Sequence, residues 1–160
     1  MIQFLYCACY LAALGILSFV LGRLVPKAWF DYRRAPYRTA AWEKDGRMYE
    51  TLLHVSAWQT RVPDMSRIFP GLMPAKKMVR LDTQSLLTMI RETCVAEAVH
   101  WILAILGAGV LVLWPTGWGV LLYLLYAIFG NLIFIIIQRY NRPRLVRLYE
   151  RQQQKRRNQV

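Results

Sequence analysis

Two long apolar stretches joined by a short turn dominate the second half of the chain. Residues 99–138 contain no Asp, Glu, Lys or Arg, and a Trp-Pro-Thr-Gly-Trp segment at 114–118 divides them. Each half is close to the roughly 20 apolar residues that a helix needs to cross a bilayer. A connection this short makes the two predicted helices antiparallel neighbours. The start of the first helix is therefore predicted to meet the end of the second at one membrane surface.

A third apolar stretch, residues 2–21, also lacks charged residues, and 56% of the whole chain is hydrophobic. We therefore predict an all-α membrane protein that forms a single membrane domain, residues 1–160. Its three transmembrane helices are predicted at about 2–22, 96–114 and 118–138. A soluble protein with two very apolar core helices is the alternative, which this composition disfavours.

The basic residues indicate how these helices are oriented. All 21 Lys and Arg fall in residues 23–91 or from 139 onward, and none precedes the first apolar stretch. The positive-inside rule then predicts an outside N-terminus, a cytoplasmic loop at 23–95 and a basic cytoplasmic tail at 139–160. The first helix is predicted to be a retained anchor, with a cleaved signal peptide as the alternative. We therefore predict a multi-pass protein of the cell membrane.

The net charge of +12 raises the question of a nucleic-acid partner. Because the basic residues flank the predicted membrane helices, anionic lipid headgroups explain them better, and we predict membrane lipids and no nucleic acid as partners. The three cysteines have no metal-binding spacing, and no phosphate-binding or zinc-protease motif occurs. We predict neither a metal nor a bound cofactor.

The predicted cytoplasmic loop has the composition of an interfacial element rather than a linker. It is rich in aromatic residues, which favour the headgroup zone of a membrane. Met48, Leu52, Val55 and Trp58 recur at three- and four-residue spacing within residues 47–62. This spacing predicts an amphipathic helix that lies on the membrane with its apolar face down.

Counting along the predicted helices places several polar residues at similar depths. A helix rises about 1.5 Å per residue. Glu97 precedes Trp114 by 17 residues, which places it roughly 26 Å from the outer surface, near the inner edge of the hydrocarbon core. His100 lies about one turn deeper, at the level of Asn131 on the partner helix. Arg139 and the residues after it emerge beside Glu97.

Glu97 and His100 are three residues apart, so they share one helix face. An ionisable pair at membrane depth is a candidate for function, because the carboxylate would fix the tautomer of the imidazole and make it more basic. The alternative is structural: Glu97 pairs with Arg139 or Arg142 to lock the hairpin, and His100 only bonds to Asn131. The sequence leaves both interpretations open.

The second helix of the hairpin leaves the membrane through Asn141-Arg142-Pro143-Arg144. Pro143 lacks a backbone N–H and is predicted to turn the chain here. Guanidinium groups held beside such a turn bind phosphate or carboxylate through paired hydrogen bonds. The alternative is that these arginines form only a basic stop signal at the membrane surface.

The same parts of the chain carry a family resemblance. The pattern Glu-x-x-His-Trp at 97–101 and the segment 137–145 resemble the two ends of the hydrophobic hairpin in the glycosyl-4,4'-diaponeurosporenoate acyltransferase (CrtO) family. Glu43 and Trp58 are similar to that family in type and spacing. The resemblance covers most of residues 42–150, whereas the turn between the helices departs from it.

The resemblance implies a membrane acyltransferase that esterifies a sugar hydroxyl of a glycosylated carotenoid, or of a related glycolipid, with a fatty acyl chain. The implied acyl donor is acyl-CoA or an acyl-carrier protein. His100 is then the candidate base with Glu97 as its orienting partner, and Asn141 and Arg142 are candidate donors to the developing oxyanion. The candidate substrate-binding residues are Arg139, Arg144, Asn131, Trp101, Glu43 and Trp58.

Two other classes of function stay open for a chain with this pattern. Small membrane methyltransferases and reductases also place Asn/Arg motifs after a helical hairpin. A non-catalytic lipid-binding scaffold subunit would use Glu97 and Arg142 only as a structural pair. A new acylated glycolipid in lipid extracts would separate an acyltransferase from both.

Overall fold

The computed structural model describes residues 2–62 and 82–158, and within these ranges all regular structure is helical. Residues 63–81 of the predicted loop lie outside the described residues. The helices are α1 (Ile2–Leu24), α2 (Arg47–Leu53), α3 (Val55–Trp58), α4 (Thr83–Gly107), α5 (Val110–Leu113), α6 (Gly117–Leu125), a π-helix (Tyr126–Leu132) and α7 (Ile133–Arg157). Short 3₁₀ turns occupy Lys27–Trp29, Ala41–Gly46 and Gln59–Arg61.

Three helical runs are long and apolar enough to cross a membrane: Ile2–Leu24, Thr83–Leu113 and Gly117–Arg157. Their outer surfaces carry large apolar side chains such as Val112, which is 81% exposed, and Phe129, which is 61% exposed. Apolar surface on this scale suits lipid rather than water. The prediction of an all-helical chain with three apolar helices of membrane length is confirmed.

The second and third runs form the predicted hairpin. Tyr123 Oη on α6 donates to the Ala104 carbonyl of α4 at 3.3 Å, which joins the two arms. At the tip, Gly119 lies so close to the Trp114 carbonyl that a Cβ there would be 1.9 Å from its oxygen. Only glycine fits that position, so the tight turn depends on it. Helix α1 packs alongside α4.

Both arms continue well beyond the apolar region as a paired extension. The Asp82 side chain caps the start of α4 by accepting a hydrogen bond from a backbone N–H of the first turn at 3.0 Å. Thr83 Oγ1 donates to Gln152 Oε1 on α7 at 3.5 Å. We call this extension the stalk and define it as residues 83–95 of α4 and 142–157 of α7.

Pro143 does not turn the chain, which corrects the sequence-based prediction. It lies inside α7, which continues for more than three further turns. A proline cannot donate to the carbonyl four residues earlier, here that of Arg139. Gly46, whose φ of +80° suits glycine, packs against the Arg139 and Tyr140 carbonyl oxygens, and Arg144 Nη1 donates to the latter. These contacts accommodate the carbonyls beside the proline, so the helix continues through it.

The predicted amphipathic helix at 47–62 is not continuous. His54 adopts a left-handed conformation, with φ of 47°, and separates α2 from α3. The Glu50 carboxylate holds the two pieces together, because it accepts from the Ser56 hydroxyl at 2.6 Å and from the Ser56 backbone N–H at 3.1 Å. The Glu50 carboxylate of α2 thus accepts a hydrogen bond from a backbone N–H in the first turn of α3, which has no partner within that helix.

The break at His54 changes which side chains share a face. Tyr49 and Val55 are buried together with Tyr140 of α7. Leu52, which the unbroken helix would place on the same face, is 66% exposed. Helices α2 and α3 are therefore packed on α7 by a small apolar core, in addition to any contact with the membrane surface.

Candidate functional site

The polar residues of the hairpin gather at its open end, opposite to the turn at 114–116. Thr93 and Glu97 are four residues apart on α4 and share a helix face. Arg139 and Arg142 are three apart on α7 and do the same. Because the two arms are antiparallel, these faces meet. The sequence-based prediction that Glu97 lies beside these arginines is confirmed.

Glu97 is fully buried and pairs with both arginines. Its Oε1 accepts from Arg139 Nη1 at 2.6 Å, and its Oε2 accepts from Arg142 Nη2 at 2.5 Å. Each carboxylate oxygen therefore holds a different guanidinium group. This arrangement matches the structural alternative for Glu97, in which it locks the hairpin.

Arg142 is buried, with 3% of its surface exposed, and all three of its guanidinium nitrogens donate within the protein. Besides Glu97, its partners are Thr93 Oγ1 at 2.8 Å, the Thr93 carbonyl at 3.0 Å and the Tyr37 carbonyl at 2.8 Å. Its guanidinium carbon lies 5.7 Å from the centre of the Tyr37 ring. The prediction that Arg142 donates to an oxyanion or a phosphate does not fit this geometry, because its donors are already engaged.

Arg139 connects the same cluster to the segment between α1 and α2. Its Nε and Nη2 donate to the two carboxylate oxygens of Glu43 at 2.6 and 2.9 Å, and its Nη1 also donates to the Pro36 carbonyl at 3.1 Å. Glu43 is 1% exposed and also accepts from Tyr49 Oη at 2.5 Å and the Ala40 N–H at 2.6 Å. Arg139 and Glu43 were predicted to bind substrate, yet their charged groups are occupied by each other.

We call Glu43, Glu97, Arg139 and Arg142 the four-charge network. It balances two carboxylates against two guanidinium groups, and every charged group in it is hydrogen-bonded. Buried charges are tolerated only with such complete pairing, because their transfer out of water is costly. The network ties three parts of the chain together: the segment 36–43, α4 and α7.

The ionisation of the loop side of the network reflects these contacts. Burial alone would raise the pKa of Glu43, but hydrogen bonds from Arg139, Tyr49 and the Ala40 N–H outweigh it, so the pKa of this carboxyl lies below its usual value. Burial, together with the neighbouring Glu43 carboxylate, raises the pKa of Tyr49. Glu43 is therefore held charged and Tyr49 is held neutral at physiological pH.

A second polar pair lies deeper in the hairpin, apart from the four-charge network. His100 Nδ1 is 3.1 Å from Asn131 Oδ1, and Asn131 is fully buried. Asn131 Nδ2 donates to the Tyr126 carbonyl at 3.1 Å, inside the π-helix. The His100 ring stacks on Phe134 with a centroid distance of 4.7 Å and an interplanar angle of 6°. The predicted level pairing of His100 with Asn131 is confirmed.

The contacts of Asn131 determine which nitrogen of His100 carries the proton. A carbonyl only accepts hydrogen bonds, so the amide nitrogen of Asn131 must face Tyr126 and its oxygen must face His100. Nδ1 of His100 is then the donor, and in the neutral ring the basic lone pair is on Nε2. Asn131, not Glu97, orients this imidazole. The prediction that Glu97 is the orienting partner is therefore wrong.

The other predicted site residues lie around these two groups. Asn141 Nδ2 donates to Gln59 Oε1 at 2.9 Å, so it joins the loop to α7. Arg144 lies over the Tyr140 ring, with its guanidinium carbon 3.5 Å from the ring centre. Trp58 Nε1 donates to the Leu53 carbonyl at 2.8 Å, while Trp101, next to His100, is 46% exposed. Of these two tryptophans, Trp101 has the more open surface.

Sequence reasoning did not single out several partners of these groups. Thr93 and Tyr37 hold Arg142, Tyr49 holds Glu43, and Phe134 stacks on His100. Thr93 alone had a usable signal, its four-residue spacing from Glu97. In the part of the chain that the structure describes, no group of three or more His, Cys, Asp or Glu side chains is placed to hold a metal ion.

Comparison with known proteins identifies the family. A family model described as glycosyl-4,4'-diaponeurosporenoate acyltransferase (CrtO) matches residues 26–151. The chain belongs to this family. Two relatives named glycosyl-4,4'-diaponeurosporenoate acyltransferase, from two strains of Staphylococcus aureus, are 28% identical over 145 residues, which cover 89% of this chain and 86% of theirs. No solved structure matches the chain.

The family assignment confirms the resemblance predicted from the sequence and makes the protein an acyltransferase. The matched range contains the whole four-charge network and the His100–Asn131 pair, whereas all of α1 lies before it. The polar architecture described above is therefore within the part of the chain that the family shares.

Removing the charge of Glu97 will destabilise the protein strongly. Glu97→Gln leaves the buried Arg142 and the largely buried Arg139 facing only one carboxylate, and loss of one member of a buried pair costs about 3–5 kcal/mol. The double variant Glu97→Gln/Arg142→Met removes both charges, so its loss will be smaller than the sum of the two single losses. The unfolding temperature in detergent is measured for the wild type, Glu97→Gln, Arg142→Met and the double variant.

Glu50→Gln is the matched control for this cycle, because Glu50 is a loop acid outside the network. It will shift the unfolding temperature much less than Glu97→Gln. Strictly additive losses in the double variant would contradict a coupled network.

Acid will weaken the loop side of the network. Because the folded pKa of Glu43 lies below its usual value, its contribution to stability is fully present above the usual carboxyl pKa of 4.5 and is lost as the pH falls through the lower folded value. The unfolding temperature will therefore fall between about pH 4.5 and the acid limit. Glu43→Gln will lower it at pH 7 and flatten the acid slope; an unchanged slope would contradict this origin.

Proposed function

We propose that the protein esterifies a sugar hydroxyl of a glycosylated carotenoid, or of a closely related glycolipid, with a fatty acyl group. The observation that carries the proposal is the His100–Asn131 pair, which lies in the family-matched range and presents Nε2 as the basic atom. The names of the relatives supply the acceptor, a glycosyl diaponeurosporenoate. The apolar helices around the pair suit such a lipid-soluble acceptor.

The chemistry needs one base and a thioester donor, acyl-CoA or an acyl-carrier protein. Nε2 of His100 takes the proton from the sugar hydroxyl while its oxygen attacks the thioester carbonyl carbon. The carbon–sulfur bond then breaks, and the thiolate leaves with the proton from the imidazolium. The products are an ester and a free thiol, so neither an oxidant nor a metal is required.

Asn131 acts in this scheme as a positioning residue. Its amide oxygen accepts the Nδ1 proton, which keeps the basic lone pair on Nε2, and the Phe134 ring fixes the plane of the imidazole. Trp101, half-exposed beside His100, is proposed to contact the acceptor. Asn141 is bonded to Gln59 and lies ten residues beyond Asn131, roughly 15 Å along the helix, so it is proposed to support the loop and not to contact the reacting carbonyl.

The four-charge network has a supporting role in this proposal. Each of its arginines makes four hydrogen bonds within the protein, so we propose that they hold the helices at the spacing that the His100–Asn131 pair requires and do not bind substrate. Changes in the network will therefore reduce activity together with stability. Changes at His100 will reduce activity alone.

We further propose the orientation that the charge distribution favours, in the cell membrane. The N-terminus and the 114–116 turn face outward, while the stalk and the four-charge network face the cytoplasm, where acyl thioesters are made. This orientation brings the aqueous donor and the membrane-borne acceptor to the same edge of the bilayer.

His100→Ala will lose acyl transfer without losing the fold. Removal of a general base costs about 100-fold to 10,000-fold in rate, measured as esterified product with a glycosylated carotenoid acceptor in membranes. Asn131→Leu will lower kcat with little change in KM for the donor, and Asn131→Asp will recover part of it because an acceptor for Nδ1 returns. His54→Asn, a histidine change in the loop at a left-handed position that asparagine tolerates, is the matched control and will keep full activity.

Near-full turnover of a folded His100→Ala protein would overturn the assignment of the base. An equal loss in the Asn131→Asp and Asn131→Leu proteins would leave His100 as the base but remove the positioning role of Asn131.

The orientation is tested by single cysteines in a protein whose Cys7, Cys9 and Cys94 are replaced by alanine. Thr116→Cys at the turn will react with a membrane-impermeant maleimide on intact cells. Asn158→Cys at the end of α7 will react only after the membrane is permeabilised. The reverse pattern would show that the proposed orientation is wrong.

A further inference from the structure

Beyond the four-charge network, α7 continues as an exposed basic helix. Residues 147–157 contain five basic side chains and one acid, Glu150. Arg147, Arg151 and Lys155 are all exposed and recur every four residues, so they form one stripe along the helix. We propose that this stripe is the docking surface for an acidic acyl-carrier protein that delivers the acyl group. The inference rests on the proposed function and names its donor.

The fold extends the stripe well beyond the level of the four-charge network. Helix α7 is continuous from Ile133 to Arg157, and α4 braces it as far out as the Thr83–Gln152 hydrogen bond. Counted from Arg139 at the level of the buried Glu97, Arg151 is 12 residues further along the helix, or roughly 18 Å. Lys155 is roughly 24 Å further along on the same scale.

This distance argues against a lipid partner for the end of the stripe. The headgroup zone adds only about 5–8 Å to each side of the hydrocarbon core, and the attraction of anionic lipids decays within a Debye length of about 8 Å. A helix tilted by the usual 20° or so would lower these heights by only a few per cent. The partner of the distal cations is therefore in the aqueous phase.

The sign and spacing of the charges identify the partner as acidic. Like charges four residues apart destabilise a helix by about 0.2–0.5 kcal/mol per pair, a cost that an acidic partner removes. An acidic protein surface complements a stripe of this length better than the few phosphates of a small donor, and complementary charge also speeds encounter. Among thioester donors, the acyl-carrier protein is the one that offers such a surface.

The reach from this surface to the proposed base is also suitable. Arg142 contacts Thr93, so Arg147 lies five residues outward from that level and His100 lies seven residues inward. The two are therefore roughly 18 Å apart along the helix axis. The flexible thioester-bearing arm of a carrier protein spans a distance of this order, so a protein docked on the stripe can present its acyl group to His100.

The test measures binding of an acyl-carrier protein to the full chain in nanodiscs of phosphatidylcholine, a lipid without net charge. Wild-type binding will weaken steeply as salt is raised. Arg147→Glu/Arg151→Glu/Lys155→Glu will weaken binding by about tenfold or more. The control, Arg34→Glu/Arg38→Glu/Arg47→Glu, makes the same change in net charge at three exposed loop positions and will weaken it by less than about threefold. Thermal unfolding of both triple variants checks that they are folded.

Turnover with acyl-CoA, measured in parallel, separates this inference from the proposed function. The inference is supported if the stripe variant no longer binds the carrier protein while the wild-type protein still forms product from its active donor. Equal weakening in the stripe and control variants would overturn it. So would a stripe variant that binds the carrier protein normally but no longer binds phosphatidylglycerol vesicles, because the stripe would then be a lipid contact. Absence of product from every donor would refute the proposed function, while the binding result would still decide the docking surface.

Discussion

The buried carboxylate of Glu97 is the contact on which the rest of the structure depends. It lies where two apolar helices emerge from the hairpin, and it holds one arginine with each of its oxygens. Sliding one helix by one residue would separate these charged groups from their partners and strand them in an apolar setting. Glu97 therefore fixes the register of α4 against α7. The level pairing of His100 with Asn131 follows from that register.

The residues that hold the helices together are distinct from the residue proposed to act as the base. Arginines near a membrane surface are natural candidates for binding phosphate, yet Arg139 and Arg142 spend their donors on Glu43, Glu97, Thr93 and backbone carbonyls. The imidazole of His100 is outside this network and is tuned by a neutral amide instead. A histidine whose partner carries no charge does not perturb the balance of the network, so the two groups are close together and still independent.

The sequence predicted the parts of this arrangement that depend on length and depth. Uncharged stretches gave the three apolar helices, and the short turn with a rise of 1.5 Å per residue brought Glu97 to the arginines and His100 to Asn131. It could not predict how donors would be shared once the groups met, because that depends on backbone carbonyls such as those of Pro36 and Tyr37. The turn predicted at Pro143 and the continuous helix predicted at 47–62 were wrong for a similar reason. Pro143 removes one backbone hydrogen bond, to the Arg139 carbonyl, and Gly46 packs beside that carbonyl without a side chain that would clash. A left-handed residue inside a periodic pattern leaves no mark on the periodicity.

The π-helix at Tyr126–Leu132 has a consequence for how the third helix faces its neighbour. Tyr123 and Arg142 both contact α4, although they are 19 residues apart. In an uninterrupted α-helix such a separation would rotate them about 100° out of phase, and the one extra residue of a π-turn removes that difference. The third helix therefore turns one face toward α4 on each side of the π-helix, and the inserted residue brings these two faces into line. The apolar contacts near the tip and the polar contacts near the base can then both meet α4.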